Sequence, residues 1–141
     1  MKISSKLDYA CKAVVELSLH WPNTTPLQIN TIAQRQNVPV KFLTHILINL
    51  KQLGFVNSIR GKNGGYLLAK KPEELRLSDL VGGMGGVGFI GTPYIGKRKN
   101  HVLDIIWQEV NAAVLEKLDE ITFEVIADRI RSQSKILMFD I

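Results

Sequence analysis

The chain has very little cysteine. Cys11 is the only one in 141 residues, which excludes an intramolecular disulfide and any CxxC metal or redox motif. It also has few histidines, and His20, His45 and His101 show no metal-ligand spacing, so each reads as a surface or helix-end residue. No Cys–His or Ser–His–Asp order stands out, and an enzyme is not expected. Met1-Lys2-Ile3 runs straight into polar Ser4-Ser5-Lys6, without the apolar segment of a signal peptide. The uncharged stretch 80–94 is glycine-laden and too short to cross a bilayer. A soluble, cytoplasmic protein with no membrane partner is expected.

What is present points to a folded chain. The sequence is 45% hydrophobic and 22% charged, and 141 residues suit one domain with an appendage. The formal charge is +5 and the pI about 9.4. Residues 1–76 hold 11 Lys+Arg against 4 Asp+Glu, a net +7, while residues 77–141 hold 7 against 9, a net −2. Positive potential on one half attracts phosphate and speeds encounter with nucleic acid. A generic basic surface would look the same by this measure alone.

The basic half carries a distinctive order in residues 38–69: amphipathic helix, apolar strand, glycine-rich basic turn, second strand. Leu43, Ile46, Leu47 and Leu50 form one apolar stripe at helical period. Lys41, Thr44, His45, Ile48 and Gln52 repeat on the other face. Pro39 suits the first helical position and Gly54 the residue after the end, giving a helix over 39–53. Phe55, Val56 and Ile59 begin a strand, Gly61, Gly64 and Gly65 punctuate it, and Tyr66, Leu67 and Leu68 resume it, a wing over 58–67. Arg60 and Lys62 sit at the turn. A helix in the major groove needs small polar side chains at its N-terminal end, and a flanking hairpin with Arg at its tip can reach phosphate or the minor groove. The competing reading is an ordinary α/β unit with a solvated basic turn.

Upstream, Ser4 or Ser5 caps a first helix with the stripe Leu7, Ala10, Cys11, Val14 and Leu17, ending near Trp21-Pro22. Cys11 on that stripe reads as a small core residue, with a reactive thiol as the alternative. Pro26 suits the first position of a second helix over 27–36, with Ile29, Ile32 and Ala33 inward, and Asn37 breaks it. Two helices and a tight turn make a helix-turn-helix, and the hairpin that follows favours a winged helix over a plain bundle.

Here the chain resembles the Rrf-two family of bacterial winged-helix transcription regulators, the IscR, NsrR and CymR type. The resemblance is carried by Ser5-Lys6-Leu7-Asp8-Tyr9-Ala10, Ile32-Ala33-Gln34-Arg35-Gln36, Phe42-Leu43, Leu50-Lys51, Gly54-Phe55-Val56 and Arg60-Gly61-Lys62-Asn63-Gly64-Gly65-Tyr66-Leu67-Leu68. It is close over residues 1 to 80 and continues beyond only as a pattern of elements. The resemblance implies a DNA interface at Lys41, Phe42, Thr44, His45 and Arg60. Lys62 at the turn should meet phosphate, as should backbone N–H groups at Gly64 and Gly65. One well-studied branch has glutamate at the position of Thr44 and glutamine at that of His45, so this chain should read a different sequence.

Downstream, 70–75 reads as a loop with a short turn of helix, and Leu77, Leu80 and Val81 suit a short helix opened by Ser78 or Asp79. The six glycines of 82–91 should not make a stable helix; a linker fits better than a phosphate-cradling loop, which would need a strand before it and a helix directly after. Lys97-Arg98-Lys99 is a short basic run, solvated or touching DNA backbone. A long helix over 100–118 places Leu103, Trp107, Val110, Val114, Leu118 and Ile121 along an approximate heptad seam, flanked by Val102, Ile105 and Ile106. It packs either on its own winged helix or, as the resemblance implies, across a second subunit, with Leu103, Trp107, Val110, Val114 and Leu118 as the dimerisation residues. Thr122 caps a last helix with Phe123, Ile126, Ala127 and Ile130, and the apolar tail Ile136-Leu137-Met138-Phe139 should dock on the dimer.

The expected fold is mainly α with a small β-wing: a winged helix-turn-helix over 1–81, a glycine-rich loop over 82–99, and a dimerisation helix with a C-terminal helix over 100–141. The expected function is a homodimeric, sequence-specific DNA-binding regulator, a repressor on a palindrome-like operator of double-stranded DNA. Its signal would be an effector small molecule or a partner protein. The alternatives are a winged helix that binds another protein, or an iron–sulfur sensor with an atypical site. Many members of the family hold such a cluster with three cysteines before the long helix. This chain has none there, and Asp8, Cys11 and His101 are the residues from which an unusual site could be built. No cofactor and no metal are expected.

Overall fold

The computed structural model describes residues 2–85 and 102–139, with side chains through residue 135. The element order is α1 (Ser5–His20), α2 (Ile29–Gln36), α3 (Val40–Gln52), β1 (Val56–Ile59), β2 (Gly65–Leu68), a 3-10 turn (Pro72–Glu74), α4 (Leu77–Met84), α5 (Val102–Glu120) and α6 (Phe123–Phe139). This is a winged helix followed by a long helix and a returning C-terminal helix.

Helix α1 is the hub. Ser4 caps it, its hydroxyl accepting the Leu7 N–H at 3.2 Å. Leu7, Ala10, Ala13, Val14 and Leu17 are buried at helical spacing, and Val15, Glu16 and Ser18 are buried beside them, so its second half is surrounded. A buried carboxylate needs partners. Glu16 has two from α2: Arg35 at 3.4 Å and the Gln36 amide at 3.0 Å. Ser18 donates to Val14 O at 2.6 Å.

Helix α2 starts at Ile29, two residues later than the expected start at 27, with Gln28 as N-cap. The reason is tertiary: Leu27 is drawn into an antiparallel bridge with Tyr66, through Leu27 N–H to Tyr66 O at 3.0 Å and Tyr66 N–H to Leu27 O at 2.8 Å. Asn37 ends the helix in the left-handed conformation at φ 53°. Pro39 is the N-cap of α3, one position before its expected place. The end of α3 is as expected. Gly54 at φ 83° donates to Lys51 O at 3.1 Å and Phe55 donates to Leu50 O at 2.9 Å, the two bonds of a Schellman cap, with Phe55 and Leu50 both buried. The wing strands pair in antiparallel register from Val56↔Leu68 to Ile59↔Gly65.

Helix α4 opens at Leu77, before Ser78, because Arg76 is held extended by a bridge to Thr122. Leu77 donates to Ile121 O at 2.8 Å and Phe123 donates to Leu75 O at 2.9 Å. The helix then runs through Gly82 and Gly83 to Met84, into the stretch expected to be linker. Two glycines cost about 1 kcal/mol each in a helix, and the burial of Leu80 and Val81 offsets them. A Cβ on Gly83 would lie 2.8 Å from the Leu53 side chain, so glycine also permits close packing there. Gly85 at φ 66° ends the helix. The rest of the expected loop, with Lys97-Arg98-Lys99 and His101, lies outside the described residues.

Helix α6 joins the main core. Phe123 and Ala127 are fully buried, and the Phe123 ring meets Phe55 edge-on at 6.4 Å. The Thr122 hydroxyl caps α6 by accepting the Val125 N–H at 3.2 Å, as expected. Arg131 reaches Ser18 O on α1 at 3.4 Å. The tail 136–139 continues α6 as helix, and its side chains lie outside the description. Phe123→Ala should cost about 3–5 kcal/mol, by loss of transfer energy and creation of a cavity. Urea unfolding checks this, and a loss under 1 kcal/mol would show that α6 is not part of the cooperative core.

Candidate nucleic-acid interface

Burial of Leu43, Ile46, Leu47 and Leu50 turns the opposite face of α3 outward. Lys41, Thr44, His45, Ile48 and Gln52 are all exposed along it. The Thr44 hydroxyl donates to Val40 O at 3.0 Å, which leaves its oxygen free to accept from a base edge. Phe42 sits to the side of this stripe. Its ring stacks on Tyr9 of α1 at 6.3 Å and 29°, with the Lys41 ammonium 5.3 Å from its centroid. Phe42, His45, Ile46 and Asn49 line a groove of about 480 Å³ with Ser5, Lys6 and Tyr9. Phe42 therefore also joins α3 to α1, a role the sequence pattern did not disclose.

Arg60 and Lys62 lie exposed in the turn between β1 and β2, and neither forms a salt bridge among the described residues. Lys51 donates to Ser58 Oγ at 2.7 Å and ties α3 to the wing. The two adjacent glycines build the hairpin. Gly64 is buried and its N–H donates to Gly61 O at 3.0 Å, so that group is committed inside the turn. A Cβ on Gly64 would stand 2.1 Å from Ile59 O, and one on Gly65, at φ 155°, 2.3 Å from Leu27 O. Only glycine lets the wing approach Leu27 this closely.

That approach creates a second groove, of about 450 Å³, between the start of α2 and the wing, with Gln28, Asn30, Ser58 and Arg60 in its lining. Sequence reasoning missed Gln28 and Asn30 because the Leu27–Tyr66 bridge that brings them to the wing is non-local. From Leu17 through Pro72 the chain contains no Asp or Glu, so α2, α3 and the wing form a surface without intrinsic negative charge.

The long helix α5 buries none of its residues. Leu103, Trp107 and Val110 are exposed, together with Val102, Ile105 and Ile106, while Val114 and Leu118 are half-buried and Leu118 packs against the core. The seam is therefore outward at its N-terminal end and inward at its C-terminal end.

The donors for an iron or iron–sulfur site fit poorly. Cys11 packs against the core, and its thiol is pushed up to about 11 by burial and then by the Asp8 carboxylate. Asp8 in turn pairs with Lys12 at 2.9 Å. One half-buried thiol and a carboxylate already paired with Lys12 make a sparse donor set for soft-metal chemistry. Among the described residues no group of three His, Cys, Asp or Glu side chains is placed to hold an ion.

Comparison with known proteins is consistent with this geometry. The family described as Rrf2, iron-dependent transcriptional regulator, matches residues 3–129. The HTH-type transcriptional regulator CymR of Bacillus subtilis is 30% identical over 143 residues, covering 99% of each chain. A putative HTH-type transcriptional regulator of Synechocystis is 40% identical over 81 residues, 57% of this chain and 54% of that protein. The chain thus spans about half the length of that curated relative. Among solved structures, B. subtilis CymR, described as a global cysteine regulator, superposes with a TM-score of 0.82 at 29% identity, covering 92% of this chain and 98% of that one. The IscR of T. potens superposes with a TM-score of 0.77 at 27% identity, covering 92% and 88%.

The state of Cys11 is directly measurable. With its thiol at about 11 against an ordinary 9.0, the thiolate fraction at pH 8 falls about a hundredfold. Alkylation by iodoacetamide at pH 8 should be about a hundredfold slower in the native protein than in urea. Equal rates would mean an exposed thiol of ordinary acidity and would reopen the metal reading.

Proposed function

Because the chain belongs to the Rrf2 family of transcriptional regulators, we propose that it is a homodimeric, sequence-specific DNA-binding regulator. On this reading α3 enters the major groove, the wing contacts the flanking backbone or minor groove, and the protein works in the cytoplasm, with its DNA. The observation that carries it is the acid-free surface formed by α2, α3 and the wing, with Lys41, Arg60 and Lys62 exposed on it. Such a surface releases counterions from phosphate on binding, while Thr44 and His45 offer hydrogen-bonding groups to base edges. Arg60 can fork onto two acceptors, so it suits base or phosphate contact equally. A protein-binding winged helix would have no need of an acid-free face, which favours DNA over the alternative partner.

The dimer rests on α5. Val102, Ile105, Ile106 and Val110 are large, apolar and exposed along the N-terminal part of a helix none of whose residues is fully buried. A contiguous apolar face of this kind marks an interface. A second copy crossing at α5 would present two copies of α3 and so select a palindrome-like site. Occupying such a site excludes another protein from the same DNA, so repression is the simplest outcome. The poor fit of Asp8 and Cys11 to iron supports a signal of another kind, a small molecule or a partner protein.

Val110→Asp should convert the dimer to a monomer in analytical ultracentrifugation at micromolar concentration and weaken operator binding at least tenfold. A dimer unaffected by this change would place the subunit contact elsewhere. At the wing, Arg60→Ala should cost about 1–3 kcal/mol of specific binding and relax the choice of base at one position. Lys62→Ala should weaken binding to all sequences alike and lower the salt slope by about one unit. An unchanged specific-to-nonspecific ratio in Arg60→Ala would make Arg60 a phosphate contact only.

A further inference from the structure

The outward stripe of α3 contains one residue that does not match the rest. Lys41, Thr44 and His45 are polar, and Ile48, at the i+7 position from Lys41, is a branched aliphatic that is 48% exposed. It is absent from the apolar residues packed on the core, which include Leu43, Ile46, Leu47 and Leu50 from the inward face. Helical geometry puts Ile48 one turn, about 5 Å along the axis, beyond Thr44 and His45 on the same side. A side chain there meets whatever those two residues meet. It cannot bond to phosphate and has nothing to offer a purine edge. The major groove has a single apolar feature, the 5-methyl group of thymine.

We infer that Ile48 is a specificity determinant that selects thymine in each half-site by packing against its 5-methyl group. The inference rests on the DNA-binding reading of α3 and adds to it the identity of one base. Phe42, also 48% exposed, is held to the side by its stack on Tyr9, which leaves Ile48 as the large apolar group on the stripe itself. Removing the methyl from water on binding should be worth about fourfold in affinity per half-site, the equivalent of about 0.8 kcal/mol at 1.4 kcal/mol per tenfold.

The test uses the full chain. Duplexes are first enriched from a random pool, and the consensus site is remade with each thymine replaced in turn by deoxyuridine, which removes only the methyl group. Wild-type protein should bind about fourfold more weakly when one particular thymine of a half-site is replaced. Ile48→Ala should bind the thymine and uracil sites equally, and should unfold at the wild-type denaturant midpoint because the residue is exposed. Indifference of the wild type to every replacement, or retention of the effect in Ile48→Ala, overturns the inference and leaves DNA binding standing. Failure to enrich any sequence removes the DNA-binding reading and this inference with it.

Discussion

The rotation of α3 about its own axis is the constraint on which the rest depends. Leu43, Leu47 and Leu50 are fully buried and Ile46 nearly so. Each such side chain contributes about 1.5–3 kcal/mol on leaving water, so the stripe holds the helix with about 6–12 kcal/mol. That is comparable to the whole stability of a small domain. No interaction of Lys41, Thr44 or His45 with solvent could rotate the helix against it. The chemistry shown to the outside is thus decided by residues that never meet it. The cap at Gly54 and Phe55 then turns the chain sharply into β1, so the wing is placed relative to that same face.

The wing is held by backbone contact rather than by a large core. Two strands of four residues are too short to stand alone. Their support comes from the Leu27–Tyr66 bridge, from the Lys51–Ser58 hydrogen bond and from the buried Val56 and Leu68. The bridge exists only because Gly65 lacks a Cβ, which would otherwise meet Leu27 O at 2.3 Å. One glycine therefore couples the start of α2 to the turn that carries Arg60 and Lys62.

The C-terminal helices share this logic. Phe123 anchors α6 in the main core against Phe55, and the backbone pairs between residues 75–77 and 121–123 lock the junction of α5 and α6. Asp119, near the end of α5, is held by Ser78 at 2.8 Å and Arg76 at 3.3 Å. The last turns of α5 are thus tied to the winged helix while its N-terminal turns present Val102, Ile105 and Ile106 outward. An apolar face held in a set direction loses less freedom when a partner covers it.

Much of this was legible locally. The two faces of α3 follow from a 3.6-residue period and the Schellman end from Gly54, both properties of adjacent residues. The caps at Ser4 and Thr122 and the break at Asn37 are short-range in the same way. The local pattern set the helix face and the turn on which Lys41, Thr44, His45, Arg60 and Lys62 lie, while their naming as candidate interface residues came from the resemblance to the family. What only the tertiary structure decided involves pairs far apart in the chain. The late start of α2 follows from Leu27 pairing with Tyr66, and the early start of α4 from Arg76 pairing with Thr122. The persistence of helix through Gly82 and Gly83 depends on the burial of Leu80 and Val81. The double role of Phe42 depends on Tyr9, and the structural role of Gly64 and Gly65 on backbone atoms of Ile59 and Leu27. Local sequence carries dihedral preference and the period of side chains; which distant groups compete for the same backbone hydrogen bond or the same space is settled only when the chain closes on itself.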